Sequence, residues 1–308
     1  MALPERCPLC SAGRESQSVV TRHVFGDVSG ARAFFHCGAC DVRYQFPALT
    51  EEEEARFYAA EFEGFMASRS GEQGGWLKTE QHLVANEPTR LRRMKYMAPY
   101  LDGSLDILEV GCSSGFMLYP LAEAGHRCTG IEPSGIFSEF VRSRGLPAHA
   151  SLEALQKASP TARFDLILHF FVLEHIADPV AFLTTQLAML KPGGQIIFEI
   201  PNAADPLYSV YDIPAFERFY WSVAHPWYFN EPSLNYLLEQ VGSEARVLRD
   251  QRYDLSNHMV WARDGRPGGM GRFTEKLGSA AEEAYKQSLI DCGMCDTLVG
   301  IIHKSENV

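Results

Sequence analysis

The stretch Leu105-Asp106-Ile107-Leu108-Glu109-Val110-Gly111-Cys112-Ser113-Ser114-Gly115 decides how this chain is read. Its first half is an apolar run that predicts a buried strand. Its second half is a turn of glycine and other small residues, where a backbone can approach a ligand closely. Phe116 to Ala124 then reads as a helix closed by Gly125. A strand, a glycine-bearing turn and a helix in that order predict the opening unit of a doubly wound α/β sheet, with a ligand crevice at the turn.

Outward from this unit, Arg127 to Ile131 reads as a second strand ending in Glu132. An acid at that place can accept both hydroxyls of a ribose. A short third strand ends near His149, and Phe164 to His169 forms a fourth. Asp178-Pro179 caps a helix running to Leu190, with the acid at the N-cap and proline at the first helical position. Lys191-Pro192-Gly193-Gly194 turns into a fifth strand, Gln195 to Ile200. After an insertion, Glu231 to Val241 reads as a helix closed by Gly242. Ala245 to Arg249 and His258 to Ala262 are expected to finish the sheet as an antiparallel pair.

These motifs, from Glu109-Val110-Gly111-Cys112-Ser113-Ser114-Gly115 through Gly130-Ile131-Glu132-Pro133 and Val172-Leu173-Glu174-His175-Ile176-Ala177-Asp178-Pro179 to Leu190-Lys191-Pro192-Gly193-Gly194, resemble class I methyltransferases in order and spacing. The resemblance implies a Rossmann-like seven-stranded methyltransferase sheet and S-adenosylmethionine as cofactor. It implies that Glu109, Gly111, Cys112, Ser113, Gly115, Glu132 and Pro133 hold that cofactor. Two positions depart from the family pattern. Ser113 stands where the family has its middle glycine, and Ala150-Ser151 replace the acid that often follows the third strand.

The N-terminal stretch carries Cys7-Pro-Leu-Cys10 and Cys37-Gly-Ala-Cys40. Two such knuckles can bring four thiolates to the corners of a tetrahedron around a structural Zn²⁺. Val19-Val20 and Ala33-Phe34-Phe35 read as short strands between them, so a small zinc ribbon is expected over 1–47. A module of that size buries too little apolar surface to stand alone without a metal. Cys112, Cys128, Cys292 and Cys295 are expected not to be ligands. Residues 48–101 read as a helical connection, with a capping box from Thr50 to Glu53 and one or two helices from Leu77 to Tyr100 interrupted near Pro88. The methyltransferase unit is expected over 102–263 with an insertion at 203–230, followed by a tail over 264–308 in which Leu298 to Ile302 can form a last strand.

Methyl transfer needs the acceptor aligned and often one proton removed. His175 and Glu174 follow the fourth strand at the carboxyl edge, where ligands of such sheets bind. His225 follows an aromatic-rich insertion that can form a lid over a ring-shaped acceptor. Both histidines are candidate bases, with Glu174 beside them, and His169 is expected to be buried structure. Together with the ribbon, Glu174-His175-Ile176-Ala177-Asp178-Pro179 and His225-Pro226-Trp227-Tyr228-Phe229 resemble bacterial methyltransferases acting on sugars and related small metabolites. A methyltransferase for a small metabolite, a sugar or sugar nucleotide first, is therefore expected. An RNA base methyltransferase and a non-catalytic binding module are the alternatives.

The formal net charge is −11 and no dense Lys/Arg block occurs, which argues against nucleic acid as the main partner. Arg90, Arg92, Arg93 and Lys95 are expected to form a solvated helix face. No basic region followed by an apolar run opens the chain, and Leu166 to Leu173 is far too short to span a bilayer. A cytoplasmic protein with reduced thiols and no membrane partner is expected.

Overall fold

The structure is a computed structural model that describes residues 3–50, 52–53 and 79–306. Seven strands form the main sheet: β4 (Asp106–Val110), β5 (Arg127–Ile131), β6 (Ala148–His149), β7 (Phe164–Phe170), β8 (Leu190–Pro201), β10 (Glu244–Asp250) and β11 (Thr297–His303). Their order is β10-β11-β8-β7-β4-β5-β6. β4, β5, β6, β7 and β8 are parallel, and β11 runs antiparallel between β8 and β10. Strand order reverses at β4, which pairs with both β5 and β7. A doubly wound sheet opens its ligand crevice at the carboxyl ends beside such a reversal.

Side chains alternate across the sheet, so each strand feeds two cores. Leu108, Ile167, Ile196 and Phe198 pack on one face with the helices Pro179–Met189 and Glu231–Val241. Ile107, Leu166, Leu168 and Ile197 pack on the other with Leu118, Val141 and Met97. Local signals fix the helix ends. Asp178 accepts a hydrogen bond from the Ala181 amide at 2.9 Å, and Gly242 closes Glu231–Val241 at φ 75°. Such a cap contributes about 1 kcal/mol.

Two expectations are corrected here. His258 to Ala262 is not a strand but part of the helix Leu255–Asp264, capped by Asp254 and ended by Gly265 in the left-handed region. The strand that pairs with β10 is Thr297–His303, where Leu298 to Ile302 was expected to form a last strand. Arg92 and Arg93 are not on a solvated face. Glu199 of β8 is fully buried and pairs with Arg92 at 2.6 Å and Arg93 at 2.9 Å, and Arg92 also pairs with Asp250. A buried carboxylate without these partners would carry a large desolvation cost. Helix Glu87–Met97 is thereby pinned to the sheet.

The N-terminal module forms a second sheet in the order β1 (Gln17–Thr21), β2 (Ala33–Cys37), β3 (Arg43–Phe46) and β9 (Trp227–Tyr228). Its fourth strand comes from the insertion. The aromatics expected as a lid are mostly core: Phe34 of β2 packs with Phe216, Tyr220, Trp221, Tyr228 and Trp261. Rings of this size bury far more apolar area when stacked together than at a surface. Thr50 and Glu53 form the expected capping box, Glu53 accepting from the Thr50 amide at 2.9 Å and Thr50 from the Glu53 amide at 3.2 Å. The helix expected through Phe57 and Tyr58 and the loop Ser68 to Gly75 lie outside the described residues. Helices Thr79–Ala85 and Glu87–Met97 meet at Asn86, with Pro88 in the first turn of the second.

Candidate functional site

The turn after β4 brings together most of the residues singled out for the cofactor. Gly111 and Gly115 have φ of 74° and 77°, and Ser113 has φ 50°. Serine therefore takes the left-handed conformation that the family's glycine would take more cheaply. A side chain at Gly111 would come within 2.7 Å of Val172. Cys112 turns inward, and its sulfur sits where a Cβ on Gly130 would meet it at 2.5 Å. Its neighbour strand supports the turn, the Ile131 carbonyl accepting from the Gly111 and Cys112 amides at 2.8 and 3.0 Å.

Glu132 at the end of β5 reaches back to this turn. It accepts from the Ser113 amide at 2.7 Å and from the Ser134 amide at 2.8 Å, spanning Pro133. Burial pushes its pKa up, against the pull of those two amides. Glu109 at the end of β4 is 2% exposed, and among the described residues its Oε2 has no hydrogen-bond partner, nor has the buried Ser113 Oγ. Burial pushes the Glu109 carboxyl up to about 8, with Arg93 acting in the opposite direction and Glu132 reinforcing the rise. Two buried polar atoms left without protein partners fit a ligand that supplies them. The crevice thus fits a cofactor with a cationic or hydroxyl-bearing polar end.

Helix Thr79–Ala85 covers the turn. His82 Nδ1 lies 2.8 Å from Ser114 Oγ, and its ring packs against Phe116 and Phe137. Nothing in the spacing of the sequence marked His82. At the place where the family often has an acid, Ser151 instead caps the helix Leu152–Ala158.

The two candidate bases meet. The His175 and His225 rings are 4.6 Å apart between centroids and nearly perpendicular. One carboxylate oxygen of Glu174 and one nitrogen of each imidazole lie within 4.8 Å of one another. Such a set can share a proton or hold a divalent cation. His175 Nδ1 is 2.7 Å from the Ala224 carbonyl, which only accepts, so Nδ1 carries the hydrogen and Nε2 is the basic nitrogen. His225 Nδ1 is 3.2 Å from Tyr228 Oη. Tyr228 donates its own hydrogen to the Tyr220 carbonyl and accepts from the Ser222 amide. His225 Nδ1 is therefore also the donor. Ala224, Tyr228 and the backbone near Tyr220 set these tautomers, a role legible only in three dimensions. His169 is fully buried within β7 and stacked on Phe198 at 4.8 Å.

The four N-terminal cysteines form one cluster, with Cys7 and Cys40 sulfurs 3.7 Å apart and Cys10 and Cys37 sulfurs 3.6 Å apart. A tetrahedron with Zn–S bonds of about 2.3 Å has edges of about 3.8 Å. The cluster fits a zinc ribbon. Cys292 and Cys295 lie elsewhere, Cys295 buried beside Asn202. Among the described residues no helix is long and apolar enough to cross a membrane.

Against known proteins, a family model described as a methyltransferase domain matches residues 81–246. Ubiquinone biosynthesis O-methyltransferase of Rhizobium etli (strain CIAT 652) is 35% identical over 103 residues, covering 32% of this chain and 42% of that protein. The enzyme of the same name from Dinoroseobacter shibae is 30% identical over 151 residues, covering 46% of this chain and 60% of its own length. Part of each relative therefore lies outside the match. Among solved structures, the plantazolicin methyltransferase BpumL in complex with SAH is similar at a TM-score of 0.49 and 14% identity, over 82% of this chain and 93% of that one. A SAM-dependent methyltransferase from Archaeoglobus fulgidus is similar at 0.48 and 16%, over 79% and 100%.

Proposed function

The chain belongs to the methyltransferase-domain family, matched over residues 81–246, and on that premise we propose that it transfers a methyl group from S-adenosylmethionine to a small metabolite. The acceptor atom is a hydroxyl, amine or carbon, a sugar or sugar nucleotide being the first candidate. The name shared by the curated relatives, ubiquinone biosynthesis O-methyltransferase, supports a hydroxyl. The observation that carries the reading is the pairing of a cofactor-type turn with two oriented imidazoles on the same edge of the sheet.

Glu132 would hold the ribose hydroxyls, Glu109 the methionine ammonium, and the turn from Gly111 to Gly115 would admit the cofactor's close approach. Bound cofactor supplies an activated sulfonium methyl, so the protein has only to align the acceptor, exclude water and move one proton. His175 Nε2 or His225 Nε2 takes that proton, and Glu174, buried beside them, favours the imidazolium that results. Each histidine is held in the required tautomer by a bond from Nδ1. Zinc in the four-cysteine cluster is structural in this reading, because four thiolates leave no open position for a reacting group.

The experiment is transfer of radiolabelled methyl from S-adenosylmethionine to a panel of sugar nucleotides, catechols, small amines and RNA. Label in a small acceptor is expected. Label confined to RNA, or a protein that binds no cofactor, would contradict the proposal.

A further inference from the structure

Arg252 follows β10 on the carboxyl edge of the sheet, the edge that carries the glycine turn and the two histidines. Its loop is built, not loose. Asp296, 5% exposed at the start of β11, accepts from the Arg252 amide at 3.0 Å, the Tyr253 amide at 2.9 Å and Gln251 Nε2 at 2.6 Å. Lys286 adds a bond to the Arg252 carbonyl at 2.9 Å. The guanidinium lies 4.2 Å over the Phe171 ring and 4.8 Å over the Tyr253 ring, and donates to Tyr253 Oη at 2.8 Å.

Phe171 is an unusual platform. It has φ 57°, in the left-handed region, directly after β7. A bulky residue rarely accepts that conformation without compensation. The next residue, Val172, packs against Gly111 of the cofactor turn, and Glu174 and His175 follow. Adjacent residues thus face the cofactor turn on one side and Arg252 on the other. The other two arginines of this edge are neutralised, Arg92 by Glu199 and Asp250, Arg93 by Glu199. Among the described residues Arg252 makes no ion pair: its one side-chain hydrogen bond goes to a neutral phenol. A planar fork stacked between two rings, with donors to spare, is the arrangement that recognises an oxyanion in two-pronged fashion.

We propose that Arg252, set on Phe171 and Tyr253, binds a carboxylate or phosphoryl group of the methyl acceptor, so that the acceptor is an anion. The inference rests on the methyltransferase reading and narrows its substrate class. The neutral platform keeps the guanidinium oriented, the carboxylates of Asp296 and Glu199 act on it only through space, and its spare donors are left for the ligand.

The test is calorimetry on the full chain loaded with S-adenosylhomocysteine. The probes are 3,4-dihydroxybenzoate with its methyl ester, and UDP-glucose with glucose. Wild type is expected to bind one anion of a pair more tightly than its neutral partner, and the pair that discriminates tells carboxylate from phosphate. Arg252→Gln is expected to weaken that anion about ten- to hundredfold, with S-adenosylhomocysteine affinity unchanged. Arg252→Lys should recover only part of the loss, because an ammonium lacks the fork. Equal affinity for charged and neutral probes, an unaffected Arg252→Gln protein, or no binding of any anion at millimolar concentration overturns the proposal. Failure of wild type to bind S-adenosylhomocysteine would instead overturn the methyltransferase reading beneath it.

Discussion

Tyr44 of the cysteine-bearing module pairs in antiparallel register with Trp227, two residues past His225. The contact is reinforced by the Gln45 amide, which donates to the Pro226 carbonyl at 2.9 Å, and by Asn230, which donates to Asp41 one residue after Cys40. Gln45 Nε2 also donates to the Val223 carbonyl at 3.3 Å, so the backbone on either side of His225 is held by the strand that follows the second cysteine knuckle. The module thereby helps to hold one of the two imidazoles. Positional tolerance in proton transfer is small, and a misplacement of about 1 Å can cost about 10²-fold in rate.

Metal removal is accordingly expected to reduce turnover without weakening the cofactor. Cys37→Ser should lower zinc content below one ion per chain and cut kcat about 10–100-fold. S-adenosylhomocysteine affinity should stay near wild type. Metal analysis by mass spectrometry, steady-state kinetics and calorimetry on the same preparations check this. A zinc-free protein with full kcat would show that the module does not position His225.

Glu132 joins two tasks, since it accepts the Ser113 and Ser134 amides and faces the crevice. Glu132→Ala should weaken S-adenosylmethionine by about 1.5–3 kcal/mol, from lost charge-assisted hydrogen bonds. Equal affinities in wild type and variant would remove Glu132 from the site.

Glu109 gives the cofactor a pH signature. Its carboxyl is held up to about 8 chiefly by burial. A cationic ammonium arriving beside it favours the ionised form, so binding near pH 7 should release nearly one proton. Affinity should rise as pH climbs from about 6 toward neutrality. Calorimetry in buffers of different ionisation enthalpy measures the release, and Glu109→Gln should abolish it. No difference between wild type and variant would mean that Glu109 does not meet the ammonium.

His169 tests the core. Among the described residues neither ring nitrogen has a hydrogen-bond partner, and burial pushes its pKa down to about 3. The unfolded chain binds a proton near pH 6.5 that the folded chain refuses. Stability from this group therefore falls as pH drops below about 6.5, by about 1.4 kcal/mol per unit, and levels off near pH 3. His169→Phe should remove that dependence and be neutral or stabilising at pH 7. Urea unfolding at about pH 7 and pH 5 decides it; a variant with the wild-type slope would contradict the assignment.

The sequence made local features legible. The glycine turn, Glu132, the Asp178 cap and the cysteine knuckles are signalled by neighbours a few residues apart. What it hid was set by distant pairing. Leu298 to Ile302 was legible as a last strand, but its place between β8 and β10 was not: it enters there because Leu298, Ile301 and Ile302 complete the two cores. His258 to Ala262 read as a strand from its apolar run, although Asp254 and Gly265 at its flanks are helix cap residues. The burial of Arg92 and Arg93 depends on Glu199, which looked like an ordinary strand residue. The joining of β3 to β9, the tautomer bonds of His175 and His225, and the covering His82 all link segments with no shared local signal.

The central claim is that an imidazole of the His175–His225 pair takes the acceptor's proton. It is tested most directly by kcat for His175→Ala and His225→Ala, measured with an acceptor that wild type methylates and set beside S-adenosylmethionine affinity in each variant. A base typically contributes 10²–10⁴-fold, so at least one variant should lose about that much kcat while its cofactor affinity stays unchanged, the mark of an interaction made in the transition state. Near-wild-type kcat in both variants would contradict the account.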